Sequence, residues 1–255
     1  MSQPTRPWLI ALAKDAPPAP SCNACNVRKS CLADSLDADQ TSRFEQLITV
    51  RRRVVRQEVL VSVDEPGASL FAVRVGQFKT VGMDQLGQLR VTGFHMPGDL
   101  IGLDALANGR HRFSAVALED SEVCEIPFAR LNQAMAELPD LMKNFHRRMS
   151  ADIAGAVDGG MVLANLRADR RFAVFLLHLS KRYAALGYSP HEYQLRMSRM
   201  DIGSYLGINV ESLSRMIANF RKKGWVDVSL RKVEIFQMPA IAHFSRGGDE
   251  LKNQG

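Results

Sequence analysis

Hydrophobic and polar positions divide the chain into an irregular beginning, a strand-rich middle and a helical end. In the middle, short runs rich in Val and Phe alternate with turn sequences such as Pro-Gly and Asn-Gly, a spacing typical of an antiparallel sandwich or barrel. The runs lie at 58–63, 70–75, 77–81 and 89–94. The pattern predicts a compact β-domain between about residues 52 and 125.

After Pro127 the hydrophobic period changes from two to about 3.6, which predicts a long helix. Apolar or small residues recur at steps of four and three, as in a coiled-coil seam. The predicted dimer contacts on this seam are Met142, Phe145, Met149, Ile153 and Ala156. A single helix packed on its own domain explains the same pattern. A second helix is predicted at about 169–186, ending before Gly187.

Two further helices are predicted near the carboxyl end. Ser198 and Asp201 form a capping-box-like start for the first helix, and Gly207 ends it. Asn209 caps a second helix at about 210–222. Two short helices joined by a glycine-containing turn form a helix-turn-helix, whose second helix enters the major groove of DNA.

The second of these helices carries side chains suited to DNA bases. Glu211, Ser214 and Arg215 stand at i, i+3 and i+4, and therefore share one face. Arg215 can bind guanine O6 and N7, Glu211 can accept from cytosine N4, and Ser214 can contact a base edge or a thymine methyl group. A surface ion pair between Glu211 and Arg215 is the alternative.

Charge and a β-hairpin strengthen the case for nucleic acid. Residues 166–236 carry 13 Lys and Arg against 6 Asp and Glu, a net charge of +7, whereas residues 1–165 carry 18 against 19. A basic back third predicts a polyanionic partner, with an ordinary solvated basic face as the alternative. Runs at 225–229 and 233–236 predict a wing. The predicted contacts to DNA phosphates are Ser198, Arg199, Arg221, Lys222, Arg231 and Lys232.

Composition excludes several classes of protein. With 255 residues, 46 % apolar and 24 % charged, the chain matches globular averages. Its longest apolar stretches, at 8–13 and 172–179, fall short of the roughly 18 residues needed to span a bilayer, so we expect no membrane span, no signal peptide and a cytoplasmic protein. The six histidines are scattered and form no recognisable catalytic motif, so we expect no enzyme.

Four cysteines form the remaining constellation. The first 40 residues are Pro-rich, then Cys-rich, without a long periodic run, which predicts an irregular segment held by something other than a core. Cys22, Cys25 and Cys31 have the spacing C-x2-C-x5-C, and Cys124 follows in the β-domain. Four thiolates in a reducing compartment most simply indicate a metal centre, either a tetrahedral zinc or an iron–sulfur cluster. A buried core role for Cys124 is the alternative.

These motifs together resemble the fumarate-and-nitrate-reduction (FNR) regulators, the oxygen-sensing branch of the cyclic-AMP-receptor-protein (CRP) superfamily of transcription factors. Besides the cysteines, the resemblance rests on TGFHMPGDL at 92–100, CEIPF at 124–128 and VESLSR at 210–215. It covers about residues 21–237. The cysteine set and the Glu-x-x-Ser-Arg motif support it independently.

The resemblance implies an α+β fold. An N-terminal antiparallel β-roll, which is a cyclic-nucleotide-binding-like double-stranded β-helix, is joined by a long dimerisation helix to a winged helix-turn-helix domain. The expected divisions are a cysteine-rich cluster-binding segment at 1–40, the sensory β-roll at 41–136, the dimerisation helix at 137–165, the DNA-binding domain at 166–238 and a flexible C-terminal tail at 239–255.

The resemblance also implies a mechanism. A [4Fe-4S] cluster on Cys22, Cys25, Cys31 and Cys124 assembles without oxygen and promotes a homodimer, and oxygen converts it to [2Fe-2S] and then removes it. The dimer binds a palindromic operator resembling TTGAT-N4-ATCAA in double-stranded DNA and contacts RNA polymerase through loops near 83–90 and 112–120. Three alternatives stay open: a superfamily regulator with a structural zinc, one with thiol-redox sensing, and, more remotely, an iron–sulfur electron carrier.

The chain departs from the superfamily in its nucleotide pocket. Leu103 follows Gly102 where a ribose-binding Glu is expected, and Phe113 follows Arg112 where Ser or Thr is expected. We therefore expect no cyclic-nucleotide effector.

Two further departures concern the branch itself. Ser30 precedes Cys31, where enteric FNR proteins have Leu, and this affects the shielding of a cluster. Ala156 stands where those relatives carry an acidic residue on the dimer helix, with Asp158 two residues on. Removing a like charge from a two-fold interface favours association.

Overall fold

The computed structural model describes residues 21–248, so residues 1–20 with the apolar stretch 8–13, and the last part of the tail at 249–255, lie outside the described residues. The helices are α1 (Ala38–Glu45), α2 (Phe128–Glu137), α3 (Pro139–Asn165), α4 (Ala168–Ala185), α5 (Arg199–Leu206), α6 (Val210–Lys222) and α7 (Met238–Ser245). The strands are β1 (Val50–Val54), β2 (Val59–Val61), β3 (Ser69–Val75), β4 (Phe78–Met83), β5 (Leu89–His95), β6 (Leu100–Ile101), β7 (Ser114–Ala117), β8 (Ser121–Pro127), β9 (Glu192–Gln194), β10 (Val226–Ser229) and β11 (Lys232–Ile235). Within residues 21–248 no helix combines the length and hydropathy needed to cross a membrane.

The first domain is a β-roll of two four-stranded antiparallel sheets, which confirms the predicted fold class. One sheet has the order β1-β8-β3-β6 and the other β2-β7-β4-β5. Inward-facing residues of both sheets share one apolar core, in which Phe78 and Val123 are fully buried. Gly76 turns the chain from β3 into β4 at φ +82°, and a Cβ there would lie 2.1 Å from the Ser121 hydroxyl oxygen. Only glycine fits this turn.

The cysteine segment has a core of its own. Residues 21–37 are irregular, with short 3-10 turns at Cys22–Ala24 and Arg28–Ser30. Leu32 and Leu36 are nevertheless almost fully buried, and they belong to the same apolar cluster as Leu141 of α3. The expectation that something other than a core holds this segment is therefore wrong for its second half.

The long helix α3 lies in two different environments along its length. Its first part buries Leu141 and Phe145 in the cluster formed with the cysteine segment. Phe145 is only 7 % exposed in the single chain. The side chain thus packs mostly within its own chain, and its contribution to a dimer stays a prediction. Farther along, Ile153, Val157 and Met161 are all more than half exposed.

The second domain combines the helix-turn-helix with a three-stranded sheet of order β10-β11-β9. Its core extends into α7, where Ile241 is fully buried and Phe244 is 9 % exposed. The expected flexible tail at 239–255 is therefore wrong for its first part, 239–245, which lies in the packed helix Met238–Ser245 with Pro239 in its first turn. Proline suits that position because the first amide groups of a helix lack intrahelical partners.

The two domains dock directly on each other. Lys79 of β4 forms an ion pair with Asp201 of α5, with Nζ and Oδ1 2.6 Å apart. The amide nitrogen of Val91 donates to the hydroxyl of Ser204 at 3.0 Å. Apolar residues of β5, including Val91, belong to the same core cluster as the DNA-binding domain. These long-range contacts place the helix-turn-helix against the edge strand of the roll.

Candidate functional site

The three N-terminal cysteines are brought together by tight turns. Backbone hydrogen bonds close every third residue, from Cys25 to Cys22, from Arg28 to Cys25 and from Cys31 to Arg28. This coils the segment over the β3-β8 face of the roll, where Cys124 lies on β8 beside Ala72 of β3. All four predicted metal ligands line one pocket.

The walls of this pocket are mostly apolar, but they also include the side chains of Arg28 and Arg74. Its apolar lining residues include Val27, Phe44, Ile48, Ala72, Val73 and Ile126. All four cysteines are free thiols. Cys22 and Cys124 are buried, whereas Cys25 and Cys31 are partly exposed. The alternative in which Cys124 is only a core residue leaves this convergence unexplained.

Burial sets the charge state of the thiols. Burial, with Glu45 and Cys31 nearby, raises the pKa of the Cys22 thiol to about 11. Burial also raises the pKa of Cys124 to about 12, with Cys31 and Cys22 adding to the effect. Since the thiolate is the form that binds metal, positive charge among the thiols is needed to deprotonate them at neutral pH.

Arginines supply part of that positive charge. Arg51 of β1 lies opposite Cys124 in the sheet register, and its guanidinium counteracts part of the rise that burial causes in the pKa of Cys22 and Cys124. The Nε of Arg51 is buried without a hydrogen-bond partner, so its N–H group is available to donate a hydrogen bond beside the thiols. Arg74 of β3 lines the same pocket as Cys25 and forms an ion pair with Glu122. The sequence pattern did not reveal either arginine, because both lie on ordinary strands.

The donor set can be compared with the needs of two kinds of metal group. Among the described residues, no three His, Cys, Asp or Glu side chains are grouped closely enough to hold one metal ion. A single zinc needs its ligands about 2.0–2.3 Å from one point. A cubane cluster binds each thiolate to a different iron, so its ligands stand farther apart. Four thiols around one pocket therefore fit the four-cysteine donor set of a cluster.

The helix-turn-helix has the predicted geometry. Ser198 and Asp201 form a complete capping box at the start of α5, and Gly207 ends it at φ +63°. The Asn209 side chain accepts a hydrogen bond from the amide of Ser212 at the start of α6. Leu213, Ile217 and Phe220 are the buried residues of α6. The opposite face of α6 is consequently presented outward.

The predicted base-contacting residues lie on that outward face. Glu211 and Arg215 are exposed, and Ser214 is partly exposed. Arg215 donates to the hydroxyl of Ser212 at 3.2 Å, in place of the ion pair with Glu211 that was the alternative. Arg199 of α5 donates to the hydroxyl of Ser214 at 3.3 Å and so joins the same surface.

The predicted phosphate contacts divide into two groups. Arg221 is held within the domain by Asp227 and by the carbonyl of Val228. Lys232 bridges Glu192 and Glu234 at 2.9 and 2.8 Å. Both side chains are exposed as well, and their contacts to DNA phosphates stay predictions. The remaining predicted contacts are all exposed: Ser198, Arg199, Lys222 and Arg231.

The predicted dimer contacts partly coincide with an exposed apolar stripe on α3. Met142 is 41 % exposed and Ile153 61 % exposed, Ala156 is exposed, and Met149 is partly buried in its own domain. Val157 and Met161 extend the stripe. Neither residue was predicted from the sequence, because the steps of three and four residues that define the seam fall on Ile153 and Ala156 and not on Val157 or Met161.

Near Gly102 and Arg112, where the chain departs from the superfamily's nucleotide-binding pattern, an internal carboxylate occupies backbone amides of the roll. Oδ2 of Asp104 accepts hydrogen bonds from the backbone amides of Arg112 and Phe113 at 2.7 and 3.3 Å. Oδ1 lies 3.5 Å from Nδ1 of the buried His111. Amide groups that could bind a phosphate are thus already bound within the chain.

Comparison with known proteins agrees with this architecture. The model of the cyclic nucleotide-binding domain matches residues 51–137, and that of the Crp-like helix-turn-helix domain matches residues 170–244. The chain is 39 % identical over 226 residues to the transcriptional regulatory protein btr of Bordetella pertussis, covering 89 % of this chain and 93 % of that protein.

Two further similarities concern a second regulatory protein and a solved structure. The fumarate and nitrate reduction regulatory protein of Escherichia coli K12 is 35 % identical over 224 residues, covering 88 % of this chain and 90 % of that protein. The structure of FixK2 from Bradyrhizobium japonicum has a TM-score of 0.69 at 24 % identity, covering 76 % of this chain and 96 % of that one. The structural likeness shows the shared fold.

Proposed function

Because this chain belongs to the CRP/FNR family of DNA-binding transcription regulators, we propose that it is an oxygen-responsive member of that family. In this proposal Cys22, Cys25, Cys31 and Cys124 hold a [4Fe-4S] cluster. The observation that carries the proposal is the convergence of these four thiols on one apolar pocket. The likeness to a fumarate and nitrate reduction regulatory protein over nearly the whole chain supports the same assignment.

A cluster held by these four thiols would supply an oxygen-labile group. The chain's own residues couple the cysteine site to the long helix α3. Cys22, Cys25 and Cys31 tie the N-terminal segment to Cys124 on the roll, and Leu32 of that segment packs in the cluster that contains Leu141 of α3. Loosening the thiols therefore loosens the packing of α3. A few kcal/mol suffices to shift an interface that is close to balance.

The exposed stripe of α3 then serves the homodimer. Ile153, Val157 and Met161 are large apolar side chains that water covers in the single chain. Pairing two copies along this stripe removes that surface from water, which is favourable. A two-fold dimer also places two α6 helices about one helical turn of DNA apart, as a palindromic operator such as TTGAT-N4-ATCAA requires.

Specific recognition falls to the outward face of α6. Arg215 offers the planar fork that guanine O6 and N7 accept, and Glu211 offers the acceptor that cytosine N4 requires. Lys222 and Arg231 contribute phosphate contacts in the proposal, because both are exposed and basic. Contacts to RNA polymerase are assigned to the roll loops near residues 83–90 and 112–120.

We also propose that the roll needs no cyclic nucleotide. Asp104 occupies the backbone amides of Arg112 and Phe113 from within. An added phosphate would have to displace this carboxylate and withstand its charge. Micromolar binding of cyclic AMP in a calorimetric titration would refute this part.

The decisive experiment is the visible spectrum and the iron and sulfide content of the protein purified without oxygen, followed by admission of air. A brown protein with about four irons per chain, which bleaches while sedimentation shows the dimer dissociating, is expected. A colourless protein with one zinc would favour a structural site. A metal-free protein whose DNA binding follows thiol oxidation would favour thiol-redox sensing. An iron–sulfur electron carrier is opposed by specific operator binding.

A further inference from the structure

Beside the cysteine site, a large cleft lies between the two domains, next to the surface on which they contact each other. Its volume is about 530 Å³, within the range of small-molecule sites. One wall consists of the cysteine loop around Cys25 and the end of β3 at Arg74. The other wall belongs to the DNA-binding domain and includes Tyr183, Tyr188 and Arg196. The cleft is therefore formed only when the domains face each other.

The cleft and the cysteine pocket share a wall. Cys25, Val27 and Arg74 line both cavities. Cys22, Cys31 and Cys124 line the inner pocket and are absent from the lining of the cleft. Cys25 is thus the thiol that separates the inner pocket from the cleft.

Contacts across the cleft fix its width. The side-chain amide of Gln77 donates to the hydroxyl of Tyr183 at 2.9 Å. Arg196 of the DNA-binding domain and Glu119 of the roll form an ion pair with Nε and Oε2 3.1 Å apart. Both contacts join the roll to the DNA-binding domain, so a movement of that domain changes the opening in front of Cys25.

We propose that the cleft is the access route to the cysteine site, that Cys25 is the thiol a small thiol-reactive or oxidising molecule reaches first, and that the position of the DNA-binding domain sets how open this route is. The inference rests on the proposed function in that it concerns the same four cysteines. It adds that the DNA-binding domain, besides receiving the signal, controls the exposure of the sensor.

The test is the alkylation of the reduced, metal-free full chain by iodoacetamide, with each cysteine quantified by peptide mass mapping. The sulfur of Cys25 displaces iodide, an S–C bond forms as the C–I bond breaks, and the thiol proton passes to solvent. We expect Cys25 to react first. Equal rates at Cys25, Cys22, Cys31 and Cys124 would overturn the proposed order of access.

Arg196→Ala tests the gating by the second domain. It removes the ion pair with Glu119 and should accelerate Cys25 alkylation several-fold while leaving Cys124 slow. Arg90→Ala is the matched control, since Arg90 and Asp84 form an ion pair of similar exposure within the roll. An unchanged Cys25 rate in Arg196→Ala, or an equal acceleration in Arg90→Ala, would overturn the gating.

A second variant guards against a folding defect in the first. Tyr188 is 64 % exposed and lines the cleft, so Tyr188→Ala widens the cleft without emptying a core. It should also accelerate Cys25 alkylation, and a bulky maleimide should gain more than iodoacetamide does. No gain with either reagent would count against the route. Because no metal is present, these outcomes are independent of the iron analysis that tests the proposed function.

Discussion

The side-chain amide of Asn144 on α3 donates to the backbone carbonyl of Leu32 at 3.0 Å, 112 residues away in the sequence. The same amide donates to the carbonyl of Asp34. Asn144 is only 5 % exposed, so these bonds are made away from water. Leu32 directly follows Cys31. The bond therefore links the cysteine site to the helix that carries the exposed stripe.

Loss of this link should weaken the cysteine segment. We expect Asn144→Ala to lower the free energy of unfolding by about 1–3 kcal/mol, because the buried carbonyl of Leu32 and the partly buried carbonyl of Asp34 lose their donor. Hydrogen exchange at residues 32–36 should accelerate, and denaturant unfolding gives the free energy. Asn165→Ala is the control, since Asn165 makes an exposed side-chain bond to Met161 on the same helix. Equal losses in the two variants would contradict this interpretation.

The docking of the two domains should depend on pH through Asp201. Burial opposes ionisation of this carboxyl, but hydrogen bonds from Lys79 and Ser198 outweigh burial and lower its pKa. A carboxyl whose folded-state pKa is depressed stabilises the fold above its unfolded pKa of about 3.9, and the stabilisation is lost as pH falls through the folded value.

Lys79→Met should therefore destabilise the protein at neutral pH by about 1.5–3 kcal/mol, the range for hydrogen bonds to charged groups. The difference from the parent should shrink as pH falls below about 4. Thermal unfolding across pH measures this. Lys143→Met, an exposed position on α3, should show little change at any pH. A Lys79→Met deficit that stays constant into acid would contradict the assignment to Asp201.

Local chemistry made the helix-turn-helix predictable. The capping pair Ser198 and Asp201, the glycine at 207 and the Asn209 cap each specify one geometry within a few residues, and the structure has all of them. The strands of the roll were equally predictable, because turns such as the one at Gly76 separate the hydrophobic runs. The family resemblance supplied the expected cluster ligands, and the structure places those four thiols around one pocket.

Long-range packing was not predictable in the same way. Phe145 follows the seam pattern of a dimer helix, yet it packs against a segment more than a hundred residues earlier in the chain. Helix α7 is short, and its buried Ile241 and Phe244 were a signal too brief to distinguish from a tail. Arg51 and Lys79 gain their roles from strand register and domain docking, which no local spacing encodes.

Arg215 should determine sequence preference at one base pair of each half-site. We expect Arg215→Ala to weaken the free energy of operator binding by about 1–3 kcal/mol per lost base contact. The variant should also distinguish less well between guanine and other bases at that position. Arg231→Ala, at the wing, should instead weaken operator and unrelated DNA alike and reduce the slope of log K against log salt by about 0.9 per lost phosphate contact. Fluorescence anisotropy at several salt concentrations measures both. A uniform loss in Arg215→Ala, with base preference intact, would remove the residue from base recognition.

Ala156 should set the strength of the dimer. It is exposed on α3, on the same side as Ile153, so a two-fold partner brings a second Ala156 close by. Ala156→Asp places like charges across this axis, and we expect at least a tenfold rise in the dimer Kd, about 1.4 kcal/mol, with easier dissociation in air. Sedimentation before and after exposure to oxygen measures both.

Ala151→Asp is the matched control for this substitution. The two alanines lie on one helix, both are exposed, and they are five residues apart, hence about 140° apart around the axis. The added charge is the same, but at Ala151 it faces away from the stripe and should leave the Kd unchanged. If Ala156→Asp and the parent dissociate equally in oxygen, the missing acidic residue does not stabilise this dimer. If Ala151→Asp weakens it as much as Ala156→Asp does, the effect comes from net charge instead of position on the helix.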